Sequence, residues 1–291
     1  MADTSLRDDF ARWLSPVLPK HMRPGVPVVP VVRLTGAIGM GTPLKPALTL
    51  ASAAPLLEKA FAIKRAKEVA IIVNSPGGAP VQSHLIHRRI RSLAQQHGRK
   101  VTVFVEDVAA SGGYMIACAG DEIIADPSSI VGSIGVVSAG FGFTGLIDKL
   151  GVERRVHTSG QSKVILDPFQ PEKAEDVERL KTIQKDVHED FIALVKERRS
   201  GALDGVDGLL FSGAFWTGRQ GLDLGIVDRL GELRTVMRER YGDDVVLKLI
   251  GASRGLMLRR MTPRDGGLGA GLADEVLTSL EARALWSRFG L

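Results

Sequence analysis

The chain has a single cysteine, Cys118, among its 291 residues. One thiol excludes a disulfide within the chain and any metal cluster held by several cysteines. No apolar run approaches the roughly 20 residues that a membrane-spanning helix needs. The N-terminus carries Asp3, Asp8 and Asp9 and lacks the apolar core of a secretory signal. We therefore expect a location in the cytoplasm or peripherally on the cytoplasmic face of a membrane.

Patterns for metal and nucleic-acid binding are also missing. None of the six histidines stands in the HExxH spacing of a zinc site or beside recognisable triad partners, so each is interpreted as a surface or supporting residue. The net charge is +5, but the basic residues are scattered. The densest basic cluster, at 87–91, has no aromatic residues between its cations. A solvated helix face explains it better than a nucleic-acid site, and we predict no nucleic-acid partner.

Changes in composition divide the chain into residues 1–26, 27–250 and 251–291. In the first part, apolar residues at helical spacing over 5–18 predict an amphipathic helix. This helix either packs on the protein or a neighbouring subunit, or makes a peripheral contact with a membrane surface. The last part is basic and rich in glycine and ends in a short predicted helix. Its glycines at 266–271 would give that helix the reach to approach an active site.

The central part alternates short buried strands with helical segments. This alternation is typical of parallel βαβ units whose helices cover the sheet. The predicted strands are 28–34, 69–73, 101–105, 122–125, 134–138 and 154–158. The predicted helices include 53–67, 81–97, 143–150, 172–199 and 233–241.

Two glycine-containing turns follow predicted strands. At 74–78 (NSPGG), the consecutive glycines permit positive φ and a close ligand approach, and their N–H groups can face a developing negative charge. A plain tight turn explains this motif equally well. At 110–114 (ASGGY), Ser111 opens a helical segment. Ser111 is either a nucleophile or simply a helix N-cap. Ala109 stands where the nucleophile elbow of α/β-hydrolases requires glycine, which argues against that fold.

A serine hydroxyl needs a base to take its proton, and Lys163 is the stronger candidate. It follows a Ser-Gly turn at 159–160 and precedes two apolar residues. A lysine accepts a proton only when it is uncharged, and apolar surroundings and nearby hydroxyls favour the uncharged form. Ser133, within 131–135 (VGSIG), is a hydroxyl that would hold such an amine in place. Taken alone, Lys163 would be an ordinary solvated loop lysine.

Four motifs in order change that interpretation, namely those at 74–78, 110–114, 132–135 and 159–163. Together they resemble the signatures of the signal peptide peptidase A family of serine proteases, a group within the Clp-protease/crotonase superfamily. Ser133 lies 22 residues and Lys163 52 residues beyond Ser111. The likeness covers about residues 28–235, and its closing part includes 224–228 (LGIVD).

The resemblance implies a fold and a set of site residues. The fold is an α/β spiral of βαβ units of the Clp-protease/crotonase type. Ser111 is implied as the nucleophile, Lys163 as the general base and Ser133 as the hydroxyl that positions the lysine. Gly78 and Gly112 are the implied oxyanion N–H donors. No metal or organic cofactor is implied.

The resemblance also implies substrates and assembly. Family members cleave peptide bonds, typically in hydrophobic, signal-peptide-like segments, and form homo-oligomeric rings or domes in which serine and lysine can come from adjacent protomers. Many members carry an N-terminal transmembrane anchor, which this sequence does not show. The segment 5–18 is expected to replace that anchor unless the enzyme works away from the membrane.

Two other functions stay open on the same fold. A crotonase-type acyl-CoA enzyme would use similar oxyanion-holding glycines, but it explains neither Ser111 nor Lys163. An inactive membrane-associated scaffold is the other alternative, and the presence of every expected catalytic residue speaks against it.

Overall fold

The computed structural model describes six stretches of the chain, residues 25–41, 46–160, 162–203, 207–251, 278–280 and 282–291. The predicted helix at 5–18 and the glycine-rich joint at 266–271 lie outside the described residues. The structural description that follows concerns those six stretches.

Strands in the described stretches form one mostly parallel sheet. They are β1 (Val28–Thr35), β2 (Glu68–Ser75), β3 (Lys100–Ala110), β4 (Glu122–Ala125), β5 (Ile130–Gly132), β6 (Phe215–Thr217), β7 (Arg229–Leu230) and β8 (Val246–Leu249). Their order is β6-β5-β3-β2-β1-β8, and β4 pairs with β3 and β7. Within the described part, β5 and β6 form the antiparallel pair.

Helices connect the strands and cover the sheet. They are α1 (Leu50–Phe61), α2 (Pro80–His97), α3 (Gly112–Ala117), α4 (Thr144–Lys149), α5 (Ala174–Arg198), α6 (Asp207–Leu210), α7 (Gly218–Asp223) and α8 (Leu233–Tyr241). Residues 278–280 and 282–287 are also helical. Among the described residues, every helix is too short or too polar to cross a bilayer.

The sequence of β2 and β3 explains why they lie in the middle of the sheet. Both strands are nearly continuous apolar runs with buried side chains, as expected for parallel strands that helices cover on both faces. The larger core lies under α1, α2 and α3. A second core packs Val236 and Met237 of α8 against Val29, Val31 and Phe104. Burial of apolar side chains on both faces holds the βαβ units together.

The pairing of β3 positions the functional region. Residues 102–105 of β3 pair with β4, whereas residues 108–110 pair with β5. The strand therefore continues well beyond the predicted end at residue 105. Because β5 begins beside the far end of β3, the turns that follow both strands lie next to each other.

The prediction of parallel βαβ units is confirmed, but two predicted strands are wrong. The strand near 134–138 lies instead at Ile130–Gly132, and residues 136–138 follow it without strand pairing. Residues 154–158 also form no strand. Most of that second segment is exposed, so it has little apolar surface to gain from joining a sheet.

Candidate active site

Ser111 stands at the junction between β3 and α3 in an uncommon backbone conformation. Its φ is 53° and its ψ is −124°, a region that costs a non-glycine residue roughly 1–3 kcal/mol. Its N–H donates to the Gly132 carbonyl at 2.8 Å, which helps to hold the turn. The side chain makes no capping hydrogen bond to the helix. Ser111 is therefore the N-cap by position only, and capping does not engage its hydroxyl.

Ser133 occupies the corresponding turn after β5. Ala110 of β3 pairs with Gly132 of β5, so the two serines follow neighbouring positions of adjacent strands. Ser133 is 6% exposed, and its N–H donates to the Ala214 carbonyl at 2.7 Å. Both serines line one cavity of about 340 Å³. Its lining residues are Ser111, Ser133, Gly135, Val136, Val137, His188, Ser212, Gly213 and Arg288.

Gly78 lies in the turn after β2, and its position excludes any side chain. Its φ is 140°, and an added Cβ would lie 2.2 Å from the Ile38 carbonyl oxygen. The bridge between this turn and Ile38 uses the Gly77 carbonyl and the Ala79 N–H, each at 2.9 Å. The Gly78 N–H takes no part in that bridge, so it remains available to a ligand.

Gly112 is the first residue of α3. N–H groups in the first turn of a helix have no hydrogen-bond partner within that helix. An added Cβ there would lie 2.2 Å from the Ser83 hydroxyl oxygen, so the close packing of α2 requires glycine. Gly78, Ser111 and Gly112 line a second, smaller cavity. The apolar side chains around it are those of Pro80, Met115, Val136, Val187 and Phe191. This cavity offers an apolar surface beside two backbone amides.

Lys163 lies apart from the two serines in the single chain. It is exposed, and the described residues around it, 152–160 and 162–170, form neither helix nor strand. Its N–H donates to the Gly160 carbonyl at 3.3 Å, and its side chain lines neither of the two cavities at Ser111. The fold thus brings together Ser111, Ser133, Gly78 and Gly112, and leaves Lys163 at the surface.

The residues that follow Ser111 in α3 are buried, and a hydrogen bond and a nearby ion pair hold this region in place. The Tyr114 hydroxyl donates to the Ile226 carbonyl at 2.9 Å, and burial raises the pKa of Tyr114 well above its ordinary value. Burial also raises the pKa of Cys118 to about 12. The thiol therefore stays protonated and is a poor nucleophile. Nearby, the buried Arg199 guanidinium contacts both carboxylate oxygens of Asp228 at 2.8 Å.

Comparison with known proteins identifies the family. Residues 93–244 match the family model described as Peptidase family S49. The chain belongs to peptidase family S49. A Brucella abortus protein named Na(+)/H(+) antiporter NhaA is 59% identical over 99% of this chain, which spans 40% of that relative's length. The chloroplastic serine protease SPPA of Arabidopsis thaliana is 32% identical over 70% of this chain and 31% of its own length.

A solved structure supports the fold of this S49 chain. It is the 1510-N membrane-bound stomatin-specific protease in complex with a substrate peptide, with a TM-score of 0.51 and 16% identity. The likeness covers 81% of this chain and 97% of that one. This likeness confirms the expected Clp-protease/crotonase-like fold of βαβ units. The S49 match and the relative named SPPA confirm the resemblance to the signal peptide peptidase A family.

Two residues at the S49 site were not singled out from the sequence. His188 reaches the cavity from α5, with its Nε2 atom 3.1 Å from the Ile134 carbonyl oxygen. Arg288 reaches it from the C-terminal segment. No local motif marks His188, since it lies in the middle of a long polar helix. The glycine-rich joint at 266–271 was the one indication that a terminal residue can approach the site.

Proposed function

We propose that the chain is a serine endopeptidase with a Ser111–Lys163 dyad that cleaves hydrophobic peptides, such as remnant signal peptides, through an acyl-enzyme. One observation carries the proposal. The Ser111 hydroxyl is not used in capping, and Ser111 lines both the cavity that contains Ser133 and the one that contains Gly78 and Gly112. A hydroxyl and two backbone amides around one space form the arrangement that acyl transfer requires.

The proposed reaction begins with a proton transfer. Uncharged Lys163 takes the Ser111 hydroxyl proton while Oγ attacks the carbonyl carbon of the substrate. The resulting oxyanion accepts hydrogen bonds from the Gly78 and Gly112 N–H groups. When the C–N bond breaks, the lysine gives its proton to the leaving amine, and an ester on Ser111 remains. Water then attacks the ester carbonyl carbon and gives its proton to the lysine. When the bond between that carbon and Oγ breaks, the lysine returns the proton to Oγ, which restores the serine and releases the acid.

Apolar side chains beside the oxyanion amides are consistent with the proposed substrate class. Met115, Val136 and Phe191 line the smaller cavity there. Its volume is only about 20 Å³ in the single chain, so the proposed preference for hydrophobic peptides rests mainly on the resemblance to the signal peptide peptidase A family. Ser133 would hold the amine of Lys163 through its hydroxyl.

Assembly is the proposed route by which Lys163 reaches a serine. The segment that precedes the lysine exposes large apolar side chains, including Phe141 at 82% and Leu150 at 67% exposure. The others in that segment are Val137, Phe143, Leu146 and Val152. A contiguous exposed apolar surface favours contact with another protein. We propose that further copies of the chain cover it in a ring or dome, so that Lys163 of one copy serves Ser111 of the next.

We also propose that the protein makes a peripheral contact with a membrane. The Brucella relative is named as an antiporter, and its similarity to this chain extends over 99% of the chain. That name belongs to a longer protein, and most of its length lies outside the match. The predicted amphipathic helix at 5–18 would supply a peripheral membrane contact.

The decisive experiment uses Ser111→Ala and Lys163→Ala in the full chain, with exposed Lys173→Ala as the matched control. Each dyad variant should lower hydrolysis of hydrophobic fluorogenic peptides by roughly a thousandfold or more, while the control keeps its rate. Co-expressing the two inactive variants should restore part of the activity, because a site between copies can take its serine from one chain and its lysine from the other.

Unchanged hydrolysis by Ser111→Ala would overturn the proposal. If both variants are inactive and co-expression restores no activity, then the serine and the lysine act within one chain, or a residue other than Lys163 is the base. Turnover of acyl-CoA without peptide hydrolysis would favour the crotonase-type alternative, and inactivity of the wild-type assembly towards both substrates would favour a scaffold.

A further inference from the structure

We propose that Arg288 sets a charge preference, so that the enzyme favours peptides with a carboxylate side chain close to the scissile bond. The inference rests on the proposed peptidase function. It concerns a residue that lies 177 positions beyond Ser111 in the sequence and lines the same cavity.

The charge of this cavity is one-sided. Its polar lining residues are Ser111, Ser133, Ser212, His188 and Arg288, and no acidic residue is among those that line it. The ion pairs found in the described stretches do not include Arg288. Within the part of the chain that the structure describes, Arg288 thus has no acidic partner, and it is exposed at the cavity where a substrate is proposed to bind.

The residues next to Arg288 fix its position. The Phe289 ring packs edge-on against Phe215, with ring centroids 5.1 Å apart and an interplanar angle of 78°. Phe215 belongs to β6 and pairs with Gly132, the residue before Ser133. Trp286 lines a separate cavity of about 530 Å³ together with Gly36 and Ala37. The contact between Phe289 and Phe215 therefore holds the backbone next to Arg288 against the sheet.

The chemistry of the guanidinium identifies the ligand. It presents five N–H donors in a planar fork that matches the two oxygens of a carboxylate. In a peptide substrate, such a group is supplied by an aspartate or glutamate side chain. Because Arg288 is exposed, solvent weakens the attraction, and we expect a preference of about fivefold to tenfold in kcat/KM rather than an absolute requirement.

The test measures kcat/KM for fluorogenic peptides in which Glu, Gln or Lys is placed in turn at each position flanking the cleaved bond. In at least one position, the wild-type chain should favour Glu over Gln and Gln over Lys. Arg288→Gln should abolish the preference, and Arg288→Glu should reverse it. Arg283→Glu is the matched control, since Arg283 is exposed on the same segment and lines the other cavity. This control should keep the wild-type order.

The outcomes separate this inference from the proposed function. Active wild-type enzyme with no charge preference at any position, or an unchanged preference in Arg288→Glu, would overturn the role of Arg288 alone. An equal effect of Arg283→Glu would attribute the preference to the overall charge of the segment and would also overturn it. Absence of peptide hydrolysis by the wild-type assembly would instead count against the peptidase proposal.

Discussion

Ser111 and Ser133 share a φ of 53° and line the same cavity. A side chain at positive φ is strained, so both turns need support from their surroundings. Pairing of β3 with β5 supplies it, because the Ser111 N–H donates to Gly132, the residue that precedes Ser133. The same strand pairing brings the two serines to one cavity. The strained backbone at both residues therefore results from the strand pairing that forms the site.

Ser133 allows the role of the hydroxyl to be separated from that of the backbone. We predict that Ser133→Ala and Ser133→Gly both lower kcat by about 10- to 100-fold, because each removes the hydroxyl proposed to hold the catalytic amine. Glycine tolerates positive φ, so Ser133→Gly should be the more stable of the two variants in thermal unfolding. Peptide hydrolysis and melting temperature are measured on the same preparations. Full activity of Ser133→Gly would show that the hydroxyl has no catalytic role.

Gly78→Ala should disrupt the turn that presents the proposed oxyanion donor. Its Cβ would lie 2.2 Å from the Ile38 carbonyl oxygen, so the turn must move. We predict a loss of about 10²–10³-fold in kcat together with a lower melting temperature. Gly98→Ala is the control, because Gly98 also has positive φ, at 58°, but an added Cβ meets open space. That variant should lose stability and keep its activity. Equal activity of Gly78→Ala and wild type would contradict the proposed role of this amide.

Much of the central fold could be predicted from sequence because the physical pattern is local. Apolar runs separated by helical segments identified β1, β2 and β4 to within a few residues, and the turns at Gly78 and Ser111 follow directly from strands. Helix α5 is also predictable, since its apolar residues recur at helical spacing, although only Phe191, Leu194 and Val195 near its C-terminal end are buried and Ile183 is exposed. The formation of these strands and helices depends mainly on their own sequences and on the burial of apolar side chains between the sheet and the helices.

The errors concern segments whose state depends on distant partners. Residues 136–138 contain valines but have no strand beside them, whereas β5 pairs with β6, which begins 85 residues after β5 begins. His188 and Arg288 reach the site through tertiary packing, which no local spacing reveals. Lys163 is the converse case, because a motif identifies it while the single chain places it at the surface.

His87 should make the protein sensitive to acid. It lies on α2 and is 7% exposed, and neither ring nitrogen forms a well-aligned hydrogen bond within the described part of the chain. Burial, with a smaller contribution from the nearby Arg198 charge, lowers its pKa from 6.5 to about 4. The unfolded chain therefore binds this proton more readily than the folded chain. Stability is unaffected above about pH 6.5 and falls as the pH drops from 6.5 towards 4.

Replacing His87 by leucine removes that proton site and two unsatisfied buried nitrogens. We predict that His87→Leu is at least as stable as wild type at pH 7 and retains about 3 kcal/mol more of its stability at pH 4. The measurement is urea unfolding at a series of pH values, and the difference between variant and wild type isolates this residue from the carboxylates. His157→Leu, at an exposed position outside this helix, is the control. Parallel stability curves for His87→Leu and wild type between pH 6.5 and 4 would show that this imidazole takes up its proton equally in the folded and unfolded chains.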